Sequence, residues 1–151
     1  MIRLSGRDEA ETHFAIQRAA CVVAFAHVFP PELYPFPDDT VRAQWRAYPG
    51  RVFVAEDQGE VVGVVGVDGC WLTNLYVLPS HWGRGIGAAL HDEALAAIPD
   101  CPEVRLWTLE ENHRARAFYE RRGWRQNGET RVVPFPPRPL DVGYTYIREE
   151  P

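Results

Sequence analysis

The chain has 151 residues, a length that suits one domain with a single core, and we expect one domain over residues 1–151. Its 46% hydrophobic and 25% charged residues are ordinary for a globular protein. No apolar run approaches the roughly 18 residues of a membrane span, and the net charge of −5 argues against a duplex nucleic-acid binder. The N-terminus lacks a signal-peptide pattern, so we expect a cytoplasmic protein.

The predicted elements begin with two helices and an antiparallel hairpin, continue as strand, helix, strand and helix, and end in two strands. A strand, a helix and a following strand form a right-handed crossover, so the strands at 70–77 and 104–109 should be parallel. We therefore expect an α/β (α+β) fold with a central mixed, mostly antiparallel sheet, one parallel strand pair, and helices on both faces. In chain order the elements are predicted at residues 8–28 (helix), 39–48 (helix), 51–56 and 61–67 (hairpin strands), 70–77 (strand), 86–98 (helix), 104–109 (strand), 112–122 (helix), 124–131 and 142–148 (strands).

The three cysteines, Cys21, Cys70 and Cys101, form neither a CxxC pair nor a zinc-ligand spacing. Because their number is odd, we expect small buried apolar residues and neither a disulfide nor a metal site. Arginines crowd residues 114–125, where they either contact a phosphorylated ligand or form a solvated helix face.

The most distinctive stretch is residues 75–90, LYVLPSHWGRGIGAAL, in which a strand stops at Pro79 and three glycines, Gly83, Gly85 and Gly87, lead into a helix. This order leaves several backbone N–H groups unpaired at the positive end of the helix dipole. The stretch therefore predicts an anion site, most simply for a phosphate. A purely structural turn is one alternative. A dinucleotide-binding loop is another, which the preceding antiparallel hairpin disfavours.

A second pair of polar residues, Asn112 and Tyr119, lies on the helix that starts at the carboxyl end of strand 104–109. Their separation of seven residues is two helical turns, so both side chains face the same way. Ligands of α/β sheets bind at this edge, which makes the pair a candidate binding face. The alternative is that Asn112 only caps the helix and Tyr119 is a core aromatic.

Together the two stretches resemble the GNAT superfamily of N-acetyltransferases, which transfer an acetyl group from acetyl-CoA to an amine. LYVLP with WGRGIG resembles the family's pyrophosphate-binding segment, and Asn112 with FYERRGW resembles its second signature. The resemblance covers the chain from about Ala10 to Arg148 and implies that the parallel strands splay apart. It implies acetyl-CoA as co-substrate, no metal, and direct attack of a primary amine in a ternary complex.

Site residues follow from the resemblance position by position. Tyr119 is implied as the general acid that protonates the leaving thiolate, a role that a phenol with a pKa near 10 can fill. Trp82 stands where relatives commonly carry Gln or Arg, so the backbone N–H groups and Arg84 must hold the anion. The residues expected to bind the cofactor are Leu75, Tyr76, Val77, Trp82, Gly83, Arg84, Gly85, Ile86, Gly87, Asn112 and Arg116.

The general base is less clearly marked, because residues 70–78 contain no carboxylate and Trp71 stands nearest to the position where many relatives carry Glu. An amine must be neutral to attack, so its proton has to leave by another route. We assign the base first to Glu110 at the end of a strand, with Asp68, His27 or water as alternatives.

The acceptor is expected to be a small-molecule or peptide amine, and neither nucleic acid nor a membrane is expected as a partner. A homodimer is left open. The alternative function is a catalytically weak acyl-CoA-binding or regulatory protein of the same fold. Candidate residues for the acceptor pocket are the aromatics Tyr34, Phe36, Trp45, Trp71, Phe135 and Tyr144, with Asp38, Asp39 or Asp141 nearby for a cationic amine.

Overall fold

The computed structural model describes residues 1–148. Its seven strands form one sheet in the order β1-β2-β3-β4-β5-β7-β6. The pair β4 and β5 is parallel and the other neighbouring pairs are antiparallel, as the sequence predicts. The elements are β1 (Ile2–Ser5), α1 (Ala10–Ala24), α2 (Asp38–Arg46), β2 (Arg51–Asp57), β3 (Glu60–Asp68), β4 (Trp71–Val77), α3 (Ile86–Ala96), β5 (Glu103–Leu109), α4 (His113–Arg121), β6 (Arg125–Val132) and β7 (Leu140–Ile147).

Helices cover both faces of this sheet and divide the core into two clusters. On one face, α1 and α2 pack on the hairpin, for example Phe14 against Val54. On the other face, α3 and α4 pack on the central strands through residues such as Leu90 and Tyr119, next to Leu106. The central strands are therefore apolar on both sides, which explains the near-continuous valine run in the sequence.

The sheet is interrupted between β4 and β5. Only Trp71 and Arg105 are paired, after which the two strands diverge. The register of β4 against β3 shifts between Gly66 and Val67, which leaves Thr73 as an extra residue in β4. Such a bulge bends its strand, so β4 turns away from β5 and a gap opens toward the carboxyl ends of both strands.

The expectation of three free cysteines was wrong. Cys70 and Cys101 form a disulfide, with their Cα atoms 5.7 Å apart. Each cysteine lies just before one of the two parallel strands, and equivalent ends of parallel neighbours meet at the same edge. Cys21 is the remaining free cysteine and is buried, as expected. Disulfides are rare in reducing compartments, so this bond does not support the cytoplasmic location that the sequence suggests.

Two further differences concern the first part of the chain. The strand β1 was not predicted; it pairs along the edge of β2, with Ile2 opposite Ala55. The first helix ends at Ala24 rather than near residue 28. Within residues 1–148, no helix is long and apolar enough to span a membrane.

Candidate active site

The gap between β4 and β5 forms a cleft of about 530 Å³. Since the sheet is open here, side chains from both of its faces reach the same space. Leu75, Asn112 and Tyr119 line it from the α3 and α4 side, while Trp107 and Asp141 line it from the α1 and α2 side. The cleft therefore passes through the sheet and connects its two faces.

The glycine loop at the start of α3 provides an anion cradle. Gly83 and Gly85 have φ angles of 78° and 81°, a left-handed conformation that favours glycine. Gly85 is the N-cap residue and offers no side chain to the first turn, whose first intrahelical bond joins the Ala89 N–H to the Gly85 carbonyl at 3.1 Å. The N–H groups of the first turn are therefore free to bind an anion at the positive end of the helix.

Trp82 has a structural role in this loop. Its Nε1 donates to the Val77 carbonyl at 2.7 Å, and the Arg114 guanidinium lies 4.3 Å from the centre of its ring. The indole thus ties the glycine loop to the end of β4. This contact gives Trp82 a role at a position where the family commonly has Gln or Arg, because the side chain braces the backbone of the glycine loop.

A groove of about 610 Å³ runs from the glycine loop to the cleft, with the end of α1 as its other wall. Arg114, Arg121 and Arg122 line it and give it a positive charge that the sequence left unassigned among the clustered arginines. Arg84 is exposed and does not line the groove. The expected cofactor residues that do line it are Leu75, Tyr76, Val77, Trp82, Gly83, Gly85, Ile86, Gly87 and Asn112.

Arg116 lies elsewhere, which corrects its sequence-based placement. Its Nε donates to the Tyr144 hydroxyl at 3.1 Å, and its Nη1 donates to the Glu110 carbonyl at 2.9 Å. A longer contact of 3.3 Å joins its Nη2 to the side chain of Gln126. The guanidinium therefore links α4 to the turn after β5 and to β6 and β7, on the side of the helix away from the groove.

The free edge of β4 borders the groove. The Leu78 N–H donates to the Val62 carbonyl on β3 at 2.8 Å. Backbone groups of alternate residues point to the same neighbour in an antiparallel ladder, so those of Leu75 and Val77 point into the gap toward β5. The Val77 carbonyl already accepts a hydrogen bond from the Trp82 indole. The Val77 N–H and the N–H and carbonyl of Leu75 remain free to pair with an extended ligand.

Tyr119 lies where the groove and the cleft meet, since it lines both. It is 7% exposed, and its hydroxyl makes no hydrogen bond to any residue in the described part of the chain. Burial raises the pKa of Tyr119 above its ordinary value near 10. The phenol therefore stays protonated at neutral pH and can donate its proton.

Asn112 shares this location and also caps α4. Its Oδ1 accepts a hydrogen bond from the Ala115 N–H at 3.2 Å, so the capping alternative holds. The residue nevertheless lines both the groove and the cleft, on the same side of α4 as Tyr119. Capping uses only the oxygen of the amide, which leaves its nitrogen as a donor beside the groove.

The residues proposed as general base are not equally well placed. Glu110 lines neither the groove nor the cleft. It lies in the turn after β5, where its backbone N–H donates to the Leu140 carbonyl at 2.9 Å. His27 is exposed, with its Nε2 2.9 Å from the Glu111 carbonyl oxygen. Asp68 lies on the rim of the cleft and is exposed. The carboxylate that lies within the cleft is Asp141, which is 9% exposed.

A second cavity, of about 600 Å³, lies on the α1 and α2 side of the sheet. Of the aromatic residues expected to line an acceptor pocket, Tyr34, Phe36 and Phe135 line this cavity. Trp71 lines the cleft instead, and Trp45 and Tyr144 are core residues with 3% and 0% exposure. Phe25, Phe29 and Cys21 also line the cavity; the sequence analysis did not place them in an acceptor pocket, because their position there depends on where α1 ends.

Comparison with known proteins identifies the family. Residues 20–124 match the model of the acetyltransferase (GNAT) family. An uncharacterized N-acetyltransferase of Archaeoglobus fulgidus is 40% identical over 81 residues, which cover 45% of this chain and 55% of that protein. One from Mycobacterium bovis is 34% identical over 94 residues, which cover 57% of this chain and 60% of that protein. The match therefore spans little more than half the length of these curated relatives.

Solved structures support the same fold. The apo form of YjaB from Escherichia coli has a TM-score of 0.78 at 24% identity, covering 99% of this chain and 98% of that one. The PaiA N-acetyltransferase of Thermoplasma acidophilum, solved in complex with coenzyme A, has a TM-score of 0.76 at 16% identity, covering 98% of each chain. The family model matches more than half of this chain, and the chain therefore belongs to the GNAT family of acetyltransferases.

Proposed function

We propose that this chain is an acetyl-CoA-dependent N-acetyltransferase that acetylates a primary amine by direct attack in a ternary complex. The observation that carries the proposal is the meeting of the groove and the cleft at Tyr119. The groove offers an anion cradle at one end, and the cleft offers a protonated phenol at the other. A thioester attached to a phosphorylated carrier fits both ends, with its phosphates in the anion cradle and its thioester beside the phenol.

The residues of the groove suit coenzyme A. The free N–H groups after Gly85 and the guanidinium groups of Arg114, Arg121 and Arg122 would hold the phosphates. The open edge of β4 would pair with the amide groups of the pantetheine arm, as a further strand pairs with a sheet edge. The PaiA protein is crystallised with coenzyme A in the same fold, which supports this ligand class.

Tyr119 would supply the proton for the leaving group. The amine nitrogen attacks the thioester carbonyl carbon, the new C–N bond forms, and the C–S bond breaks. Tyr119 donates its proton to the sulfur as the thiolate leaves, and the proton lost by the nitrogen passes to water in the cleft. The phenol then recovers a proton from solvent, so the enzyme ends each cycle unchanged.

Direct transfer is favoured over a covalent acyl-enzyme by the state of the cysteines. Cys21 borders the groove, and burial raises the pKa of its thiol to about 12. A thiol with this pKa is almost entirely protonated at neutral pH and is a poor nucleophile. The other two cysteines are joined in the disulfide. The amine itself is then the nucleophile that attacks the thioester.

The direct test is release of free coenzyme A from acetyl-CoA, with mass spectrometry of the product, across a panel of small amines, amino sugars and peptides. We expect thiol release that depends on the amine and matches the amount of N-acetylated product. The alternative, an acyl-CoA-binding protein without catalysis, is favoured by the lack of a carboxylate in β4. Measurable acetyl-CoA binding with no thiol release for any amine would support that alternative and contradict the proposal.

A further inference from the structure

The apolar cavity on the α1 and α2 side adjoins the cleft between β4 and β5. Four residues line both spaces and form the junction between them, and one of the four is charged. Phe25, Tyr76, Leu109 and Asp141 line both spaces. Asp141 is the charged member of this set, and it is also the charged residue among those of the described chain that line the cavity. A ligand that enters the cleft from the cavity must therefore pass a single buried carboxylate.

Asp141 is held in place by a chain of contacts across the sheet. Arg131 Nε donates to Asp141 Oδ2 at 2.9 Å, with the aspartate side chain 13% exposed. The Arg131 guanidinium lies 4.7 Å from the centre of the Trp107 ring, and Trp107 stacks on Trp71 at 6.2 Å. Trp71 is the residue nearest to the position where many relatives carry Glu. The tryptophan pair and Arg131 thus support a carboxylate from β7 instead.

The ion pair with Arg131 engages only one oxygen of the Asp141 carboxylate. Arg131 bonds one oxygen through a single nitrogen, whereas a carboxylate accepts about four hydrogen bonds. The second oxygen can therefore accept from an ammonium group at the junction. An ammonium near Asp141 would lie in the cleft that Tyr119 also lines, on the path to the thioester.

The cavity behind this junction suits an apolar body. Its walls include Phe29, Tyr34, Phe36 and Phe135. Gln17 is already engaged, since its Oε1 accepts from the Trp45 indole at 2.7 Å. A sugar or a polyamine would leave polar groups without partners here, which costs binding free energy. The volume of about 600 Å³ lies within the ordinary range for small-molecule sites.

We propose that the acceptor is a primary amine with an apolar, aromatic body, such as an arylalkylamine, whose ammonium group binds Asp141 while its ring occupies the cavity. This inference rests on the proposed function, because it names the acceptor of the same site. Asp141 orients the nitrogen at the junction between the cavity and the cleft. Phe135 and its aromatic neighbours select the body.

The test measures binding without turnover, so that it is separate from the test of acetyl transfer. Calorimetry in the presence of coenzyme A, which carries no acetyl group, compares 2-phenylethylamine with ethylamine and with 3-phenylpropanoate. We expect 2-phenylethylamine to bind at least tenfold more tightly than either, since ethylamine lacks the ring and 3-phenylpropanoate replaces the ammonium by a carboxylate. Equal affinities, or tighter binding of spermidine, glucosamine or a peptide, would overturn the inference.

Substitutions assign the effect to the named residues. Asp141→Asn should weaken 2-phenylethylamine binding at least tenfold and leave coenzyme A affinity unchanged. Asp39→Asn is the matched control, because Asp39 is fully exposed on α2 and lines neither the cavity nor the cleft. It should change neither affinity. An Asp141→Asn variant that is folded by circular dichroism and binds the amine as wild type would overturn the role of Asp141.

A second variant keeps the inference testable if Asp141→Asn does not fold. Phe135→Ala shortens one wall of the cavity and leaves the ion pair in place. It should reduce the preference for 2-phenylethylamine over ethylamine about tenfold, because the ring loses apolar contact while the ammonium keeps its partner. Since the readout is a ratio of two affinities of one variant, a general loss of stability does not change it. An unchanged ratio would contradict the aromatic cavity.

Discussion

Replacement of Tyr119 by Phe removes the proposed proton donor and almost nothing else. The phenol is buried and its hydroxyl has no hydrogen-bond partner in residues 1–148, so the change leaves no polar group unsatisfied. The free energy of unfolding should therefore change by less than about 1 kcal/mol. The shape of the groove is also kept, so acetyl-CoA affinity should remain within about threefold of wild type.

The effect on turnover should be much larger. General acid catalysis typically contributes about 10²- to 10⁴-fold, which corresponds to about 2.7 to 5.5 kcal/mol of barrier height. Because burial raises the pKa of Tyr119 above 10, the wild-type acid stays protonated across the working range. The wild-type kcat should then show no loss from ionisation of this residue below about pH 10.

The assay is thiol release at saturating acetyl-CoA, alongside calorimetry for cofactor affinity. Tyr146→Phe is the matched control, since Tyr146 packs against Trp124 in the same part of the core but lines neither the groove nor the cleft. The control should keep its kcat. A Tyr119→Phe variant that keeps kcat within about threefold of wild type would refute the general-acid assignment.

Other predictions concern the loop, the disulfide and the pH dependence of stability. Gly85→Val forces a branched residue to φ 81° and should raise the acetyl-CoA Kd more than tenfold in calorimetry, whereas Gly59→Val, at the same φ in a remote hairpin, should lower stability alone. Cys101→Ser opens a bond between residues 31 apart and should lower the free energy of unfolding by about 3 to 4 kcal/mol in denaturant titrations; an unchanged midpoint would contradict the disulfide. Burial lowers the pKa of His13 and His91, so their contribution to stability is complete above about pH 6.5 and is lost as pH falls toward their folded pKa. The Tm should therefore fall between pH 7 and pH 5, and a flat profile would contradict this.

Local features of the site were predictable from the sequence. The strand, the glycine loop and the helix follow one another within residues 75–90, and each has a clear local pattern. The spacing of Asn112 and Tyr119 fixes their common face through helix geometry alone. The parallel pairing of β4 and β5 followed from the handedness of crossovers, and the structure confirms it.

Features that depend on pairing between distant segments were not predictable in the same way. Asp141 reaches the cleft because β7 pairs with β5 in a register that sets it opposite Leu109, and no sequence pattern fixes that register. Glu110, the residue after Leu109, lies in the turn beyond β5 and does not line the cleft. The disulfide had a usable signal, since Cys70 and Cys101 both precede strands predicted to be parallel, but their odd number favoured free thiols.

The central claim is that the glycine loop and the free edge of β4 bind acetyl-CoA. A backbone amide titration by NMR with coenzyme A tests it most directly, because the groove is lined by backbone groups that side-chain substitutions do not remove. The largest shift changes should occur at residues 83–88, with a second set at Leu75 and Val77. Saturable binding whose shift changes lie elsewhere, or no binding at millimolar ligand, would contradict the account.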